Sequence, residues 1–249
     1  MTTVSRRPER QKRIDMNSKV YLKVNRVAPE LVTQARNVTV ADLHESMGMR
    51  GRAALMGARM RPLKEGQPKI AGPAVTAFCW PGDNLMMHRA LYLAQPGDVL
   101  VVVCQAELSG AQWGDLATRY ALHKGLAGVV VQGCVRDVDQ VRALGFPVWS
   151  THIWPIHPDK SGHGLVNAPV VCEGVEVRPG DLIVADGDAV ICIPRDDAAR
   201  VVDAAQVKMR KEDEVAEKVR AGASVWELSG AAAIYKRMEV QEIDASFDD

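Results

Sequence analysis

The sequence predicts an α/β fold in which helices connect the strands of a parallel sheet. Two apolar runs, Val99–Cys104 and residues 127–132, are continuous in the way of strands that are buried on both faces. Between them, Asp115–Lys124 has helical spacing and is followed by Gly125, a residue suited to the left-handed position after a helix end. A strand, a helix and a strand in this order form a parallel crossover unit.

The pattern then repeats once. A helix is predicted over Val138–Leu144 with Gly145 as its stop, and residues 147–150 follow as a third strand. The segment therefore predicts a parallel βαβαβ core.

The elements before this core are less regular. Residues 29–47 predict helices that begin at Thr39 or Asp42, and residues 72–79 predict a strand after a Gly-Pro break. A helix over Leu85–Leu93 follows, capped by Asp83 and Asn84. We interpret His88 and Arg89 on this helix as surface or core residues.

The elements after the core are strands followed by helices. Strands are predicted at residues 164–172, at Val175–Val177 and within residues 182–193, where a tight turn at residues 186–188 joins two of them. A long helix over residues 196–221 precedes a final helix over residues 224–238, which we expect to pack on a neighbouring chain. His152, His157 and His163 lie in a loop-rich segment without the spacing of a zinc site.

Length and charge limit the class of protein. The chain has 249 residues and 47% hydrophobic content, enough for one domain with a sizeable core. We assign that domain to residues 20–243, a basic flexible arm to residues 1–19 and an acidic tail to residues 244–249. Lys and Arg together number 31, as do Asp and Glu, so net charge favours neither a nucleic acid nor an anionic membrane as partner.

Cysteine usage and hydropathy suggest the compartment. The five cysteines are scattered and include no Cys-x-x-Cys pair, which is typical of reduced thiols in a core. No apolar run is long enough to cross a bilayer, and the basic amino-terminal segment has no apolar centre. We therefore expect a cytoplasmic protein that does not insert into a membrane.

Two short segments contain the candidate chemistry. Gly114-Asp115 and Arg136-Asp137 each precede a helix, and the parallel topology places both at the carboxyl edge of the sheet. Backbone N–H groups at a helix start favour an anion, and a guanidinium with two carboxylates suits a carboxylate ligand bridged to a divalent cation. The alternative interpretation is structural, because first-turn acids are usually caps and an adjacent Arg-Asp pair is usually solvated.

Several spaced segments resemble one family. Residues 114–118, 125–130, 133–137 and 145–150 match the RraA-like family in order, and the resemblance runs from about residue 40 to residue 220. It is closest to the class II aldolases that cleave 4-hydroxy-4-methyl-2-oxoglutarate and 4-carboxy-4-hydroxy-2-oxoadipate and decarboxylate oxaloacetate. The resemblance implies a swivelling β/β/α-type domain with carboxyl-terminal helices, a homotrimer or homohexamer, and a role in aromatic catabolism.

The resemblance also implies a mechanism. The 2-oxo acid substrate would bind to the N–H groups of Gly114, Asp115, Leu116 and Ala117, and Asp137 would hold Mg²⁺ or Mn²⁺. Arg136 would stabilise the enolate of pyruvate. Asp115, together with Glu212 from a neighbouring subunit, would assist proton transfer from the C4 hydroxyl group.

Other interpretations remain open. In the resembling aldolases an acidic residue of this region reaches a neighbouring subunit's site, so Glu45 is a candidate for that role, although an acid on a helix face is usually just solvated. The family includes regulators of ribonuclease E that share the fold without the aldolase role. A different metal-dependent lyase for a related oxo acid is a further alternative, because a fold does not fix a substrate.

Overall fold

The computed structural model describes residues 18–160 and 162–247. Its strands are β1 (Lys19–Val20), β2 (Arg61–Pro62), β3 (Ile70–Cys79), β4 (Val99–Cys104), β5 (Ala111–Trp113), β6 (Gly128–Val135), β7 (Val148–Ile153), β8 (Gly164–Val166), β9 (Val170–Cys172), β10 (Val175–Val177), β11 (Leu182–Ala185) and β12 (Val190–Ile193). Its α-helices are α1 (Pro29–Ala35), α2 (Val40–Ser46), α3 (Gly51–Ala54), α4 (Leu85–Leu93), α5 (Asp115–Lys124), α6 (Val138–Leu144), α7 (Ala198–Arg220), α8 (Val225–Leu228) and α9 (Ala231–Arg237).

A mixed sheet organises these elements. Its main path runs β1-β8-β3-β4-β6-β7-β2, and β3, β4, β6 and β7 are parallel to one another. The connections through α4, α5 and α6 join these four strands, so the predicted βαβαβ core is confirmed. Antiparallel strands extend it: β8 and β11 both pair with β3, and β12 pairs with β11.

The central strands are buried on both faces. Along β4, Leu100 and Val102 pack under α4 and α5, whereas Val99 and Val101 face the opposite layer, which includes β9 and β10. Alternation sends successive side chains to opposite faces, so a strand between two layers must be apolar throughout. This burial explains the continuous apolar runs in the sequence. In a third cluster, the apolar faces of α1, α2 and α7 pack on β11 and β12.

Several local predictions are confirmed. Thr39 is the N-cap of α2 and its hydroxyl accepts a hydrogen bond from the Asp42 backbone N–H at 3.0 Å. The carboxylate of Asp83 caps the start of α4 through the Leu85 N–H at 2.8 Å, whereas the predicted cap by the Asn84 side chain is wrong, because Asn84 makes no side-chain capping hydrogen bond to the described residues. All five cysteines are buried and free. Asp186 stabilises the β11–β12 turn by accepting the Asp188 N–H at 3.0 Å.

Two predicted elements are wrong. The single strand expected over residues 164–172 is two strands, β8 and β9, separated by Asn167, whose φ is 54°. The single helix expected over residues 224–238 is two short helices, α8 and α9, separated at Gly230 with a φ of 76°. In both cases a left-handed residue interrupts the regular backbone, and an asparagine or glycine tolerates that conformation best.

The proposed amino-terminal arm is described only at its end. Residues 1–17 lie outside the described residues, and Lys19, which we placed in the arm, forms β1 with Val20 by pairing with β8. The division of the chain into an arm, a domain and a tail stays a prediction. Among the described helices, none combines the length and the apolar composition that a bilayer span requires.

Candidate active site

The two predicted helix starts lie side by side at the carboxyl edge of the sheet. β5 pairs with the end of β6, so that Trp113 lies opposite Val135, and the Arg136 N–H donates to the Trp113 carbonyl at 3.0 Å. This pairing fixes the chain just before α5 next to the chain just before α6. The geometry agrees with the rule that ligand sites of parallel sheets lie beyond the strand carboxyl ends.

Asp137 is held in an unusual conformation. Its φ is 55° and its ψ is 37°, in the left-handed region, and its side chain does not cap α6. Its Oδ2 instead lies 3.3 Å from the Asp115 backbone N and 3.7 Å from Arg136 Nε. Non-glycine residues in this region carry a conformational cost and cluster at functional sites. The interpretation of Asp137 as an ordinary helix cap is therefore wrong.

Asp115 has a different partner. Arg119, one turn along α5, contacts both of its carboxylate oxygens, with Nε at 2.9 Å and 3.2 Å. The first hydrogen bond that closes the helix runs from the Thr118 N–H to the Gly114 carbonyl at 3.1 Å. The N–H groups of Leu116 and Ala117 precede it and have no partner within the helix, as expected for a first turn.

Gly114 allows this close approach. A Cβ atom at this position would lie 2.8 Å from Asp137 Oδ2 and 3.3 Å from the Arg136 Cγ. The backbone here is extended, with a φ of −169°, so the requirement is for space and not for a special dihedral. A glycine is needed because the two helix starts meet at its α-carbon.

These residues line a cavity of about 430 Å³. Its lining includes all of the predicted site residues except Glu212, namely Gly114, Asp115, Leu116, Ala117, Arg136 and Asp137. Half of the Asp137 side chain is accessible, with 43% exposure, and Arg136 is 34% exposed. A ligand in the cavity can therefore reach both charged groups.

The cavity has a second wall that the sequence interpretation missed. Asn84 and His88, from the start and first turn of α4, line it, together with the buried Gln112 and with Lys160. Asn84 and His88 are four residues apart, the spacing that puts two side chains on one helix face, so periodicity gave a signal for them. Lys160 comes from a loop without periodicity, and the sequence offered no signal for it.

The surroundings of His88 favour the neutral form of its imidazole. Burial, and secondly the positive charge of Lys160, lower the pKa of its imidazole below the ordinary value, while Asp83 acts in the opposite direction. A neutral imidazole presents one donor and one acceptor to the cavity. His88, which we interpreted as a surface or core residue, is half-buried and lines this cavity.

The oxygen atoms at the cavity are of a kind that suits a hard divalent cation. Asp115 and Asp137 supply carboxylates, and the buried Asn84 Oδ1 and Gln112 Oε1 have no hydrogen-bond partner among the described residues. The Gln112 amide cannot be reversed without loss, because its Nε2 donates to the Asp83 and Gly110 carbonyls at 3.0 Å and 3.2 Å. Mg²⁺ typically binds through one or two carboxylates with waters and substrate oxygens completing its shell, which this set permits.

Among residues 18–160 and 162–247, no cluster of three His, Cys, Asp or Glu side chains could hold a metal ion. The three loop histidines are dispersed, since His152 pairs with Glu107 at 3.0 Å and His163 contacts Ser18 at 3.3 Å.

Glu45 and Glu212 lie outside the cavity. Both contact Lys208 of α7, with Glu45 Oε2 at 3.1 Å, and the same ammonium group contacts Asp42 Oδ1 at 3.1 Å. Partial burial lowers the pKa of Lys208, but the hydrogen bonds and negative charges of Glu45 and Asp42 outweigh it and raise that pKa above its ordinary value. Two residues singled out separately from the sequence thus share one partner, and their action at a neighbouring subunit's site stays a prediction.

A family model, related sequences and solved structures all indicate the same family. A family model described as RraA-like, Aldolase/RraA, matches residues 40–192. A protein of Halalkalibacterium halodurans, provisionally named a 4-hydroxy-4-methyl-2-oxoglutarate aldolase, is 34% identical over 76% of this chain and 88% of its own length.

Solved structures agree. The structure of Streptomyces coelicolor RraAS2, described as an unusual member of the RNase ES inhibitor RraA protein family, has a TM-score of 0.69 at 33% identity, covering 78% of this chain and 98% of that one. A Pseudomonas syringae structure has a TM-score of 0.73 at 24% identity, covering 82% of this chain and 98% of its own, and shows the shared fold alone.

Proposed function

Because the chain belongs to the RraA-like family, we propose that it is a divalent-metal-dependent pyruvate aldolase that also decarboxylates oxaloacetate. Its substrates would be 4-hydroxy-2-oxo acids such as 4-carboxy-4-hydroxy-2-oxoadipate. The names of its relatives support an aldolase more generally. The specific substrates are those that the resemblance implies, and the groups that line the cavity support the proposal.

One observation carries the proposal. The Asp137 carboxylate is turned away from its own helix and toward the Asp115 N–H, beside the Arg136 guanidinium, in a cavity of about 430 Å³. A purely structural aspartate at a helix start would cap the helix. Its left-handed backbone and its accessible oxygen atoms are instead those expected of a ligand-binding group.

The protein groups can bind a 2-oxo acid in one orientation. The substrate carboxylate accepts hydrogen bonds from the Leu116 and Ala117 N–H groups, where the positive end of the α5 dipole favours an anion. The keto oxygen faces Arg136. A Mg²⁺ or Mn²⁺ ion held by Asp137 would supply Lewis-acid polarisation of that oxygen.

Bond cleavage then follows from proton transfer. Asp115, held by Arg119, accepts the proton of the C4 hydroxyl group directly or through a water molecule. The C3–C4 bond breaks, the C4 carbon becomes the carbonyl of the second oxo acid, and the electron pair forms the enolate of pyruvate. Arg136 stabilises the enolate oxygen, and protonation at C3 gives pyruvate. Decarboxylation of oxaloacetate passes through the same enolate.

Glu212 enters this scheme only in an oligomer. It lies outside the cavity of its own chain, so we propose that a neighbouring subunit of a trimer or hexamer contributes it to assist proton transfer. The enzyme would then have its sites at subunit interfaces.

A coupled assay tests the proposal. Lactate dehydrogenase reports pyruvate released from 4-carboxy-4-hydroxy-2-oxoadipate and from oxaloacetate, with added Mg²⁺ and again with EDTA. We expect metal-dependent release from both substrates. If neither substrate yields pyruvate in the presence of Mg²⁺ or Mn²⁺, the proposed activity is refuted. A rate that EDTA does not change would refute metal dependence.

The similarity to RraAS2 favours a second candidate, a non-catalytic regulator of ribonuclease E. In that role the present chain would bind the ribonuclease and slow RNA cleavage. Slower RNA cleavage by the purified ribonuclease in the presence of this chain, together with no pyruvate release in the coupled assay, would support that candidate. A metal-dependent lyase for a related oxo acid remains the third possibility, and a panel of 2-oxo acids in the same assay separates it from the first.

A further inference from the structure

A second cavity, of about 300 Å³, lies where β2 pairs with β7. Its polar lining residues are Arg59, Arg61, Arg142, Ser150, Thr151 and His152. Among the described residues that line it, none is acidic, and none is shared with the candidate active site. We call it the basic cavity.

Two of its guanidinium groups are positioned by the backbone. Arg61 Nη1 donates to the Asp188 carbonyl at 3.1 Å, and Arg142 Nε donates to the Leu63 carbonyl at 3.0 Å. Each contact uses one of the five N–H donors of an arginine and leaves the others available. Such anchoring reduces the side-chain entropy that a ligand would otherwise have to restrict.

The positive charges of Arg61 and Arg142 are hardly neutralised by neighbouring carboxylates. Arg61 forms no ion pair with the described part of the chain, and within that part Arg142 forms a single ion pair, to Asp139 Oδ1 at 3.7 Å. The Asp139 side chain is 91% exposed, so this pair is screened by solvent and contributes little. Arg59 differs, because Glu107 and Glu173 bind its guanidinium at 2.9 Å and 2.6 Å.

Ser150 adds a hydroxyl group at this point. It lies directly opposite Arg61 in the antiparallel β2–β7 pair, which puts the two side chains on one face of the sheet. Its side chain is nearly buried and forms no hydrogen bond to the described residues. Two anchored guanidinium groups, which only donate, and a hydroxyl group, which can also donate, therefore offer hydrogen-bond donors to an anion.

We propose that the basic cavity binds a small oxyanion, a phosphate or a carboxylate, between Arg61 and Arg142. Planar guanidinium groups match both kinds of oxyanion through paired N–H donors. The site is independent of the proposed aldolase reaction, since it shares no residue with the cavity in which that reaction would occur.

Calorimetric titration of the full chain tests this inference. The Arg136→Ala variant serves as the background, because Arg136 in the active-site cavity would bind the same anions. Sodium phosphate and sodium succinate are titrated separately at low ionic strength, so that the two chemical sources are distinguished. We expect at least one of them to bind once per chain, and Arg61→Gln with Arg142→Gln to weaken that binding at least tenfold.

The matched control removes two arginines elsewhere. Arg36 and Arg52 are exposed, and neither forms a side-chain hydrogen bond or ion pair to the described residues. Arg36→Gln with Arg52→Gln changes net charge equally and should leave the affinity within about twofold, as loss of distant surface charges does under screening. If the double variant of the basic cavity aggregates, Arg61→Gln alone is measured in the same way.

Three results would overturn the inference. Unchanged affinity in the basic-cavity variants excludes Arg61 and Arg142 as ligands. Equal weakening in the control means that the anion binds to the surface without a defined site. Failure of both anions to bind also overturns the inference, and sedimentation of the basic-cavity variant as a smaller species would then indicate that these arginines contact a second copy of the chain.

Discussion

The start of α5 and the start of α6 both place an aspartate where a strand meets a helix, but the two carboxylates have different partners. Asp115 pairs with Arg119 of its own helix, the common arrangement of a solvated helix surface. Asp137 makes no contact that caps its own helix and instead approaches the first turn of α5. The same residue type in the same local pattern therefore serves two purposes.

The difference comes from the backbone. Asp137 has a left-handed conformation and Asp115 has a helical one, so the side chains leave the chain in different directions. A left-handed aspartate costs about 1–2 kcal/mol, which the surrounding structure must offset. The comparison indicates that Asp137 is the more specialised of the two, and four substitutions test this ranking.

The largest effect is expected from Asp137→Asn. Asparagine tolerates the left-handed backbone and keeps the size of the side chain, so the substitution removes mainly the negative charge. We expect pyruvate release to fall to the level measured with EDTA while the melting temperature changes little. Asp139→Asn, at an exposed position in the same helix, is the control and should retain full activity. Full activity of Asp137→Asn would remove the distinction between the two helix starts.

Arg136→Ala is expected to have the next largest effect. Loss of one oxyanion donor reduces turnover by roughly two orders of magnitude or more. Steady-state kinetics should show this mainly in kcat, since the enolate charge develops during the reaction. Arg136→Lys keeps the positive charge and should restore part of the rate. A normal kcat in the alanine variant would exclude Arg136 from the chemical step.

Gly114→Ala tests the contact between the two helix starts. The added Cβ would meet Asp137 Oδ2 at 2.8 Å and push the carboxylate away from the Asp115 N–H. We expect kcat/KM to fall about tenfold, equivalent to about 1.4 kcal/mol of transition-state stabilisation. Gly187→Ala is the control, because a Cβ at that turn would meet open space. Equal rates in the two variants would show that the separation of the helix starts is unimportant.

The smallest effect is expected from Arg119→Gln. Its ion pair with Asp115 is partly exposed and contributes on the order of 0.3–0.5 kcal/mol to stability. Asp115 would lose its fixed orientation, and we expect a fall in kcat of about threefold, well under one order of magnitude. Arg210→Gln, on the exposed surface of α7, controls for the loss of a helix arginine. A loss as large as that of Arg136→Ala would rank Asp115 with Asp137.

The sequence located the core and one wall of the cavity. Continuous apolar runs identified β4 and β6, and their parallel order placed residues 114–117 beside Arg136 and Asp137. These inferences succeeded because periodicity and the rules of βαβ connection depend only on local spacing. The breaks within residues 164–172 and 224–238 were missed, although Asn167 and Gly230 were visible as residues that tolerate a left-handed conformation.

The second wall required the fold. Gln112 and Lys160 are far from α4 in sequence, and only the path of the chain around the sheet edge brings them to one cavity. The cluster at Lys208 is similar, since Glu45 and Glu212 are joined by the packing of α2 on α7. Contacts between distant segments depend on how layers pack, which a local pattern does not encode.

The sequence alone therefore determined the order of strands and helices and the edge of the sheet at which polar residues collect. These follow from burial. A strand that is covered on both faces must be apolar, so polar residues occur in the loop that follows the strand. The tertiary structure alone decided which polar groups share a cavity and that Asp137 turns toward α5. That decision depends on β5 pairing with β6, which brings two helix starts together with a glycine as the spacer.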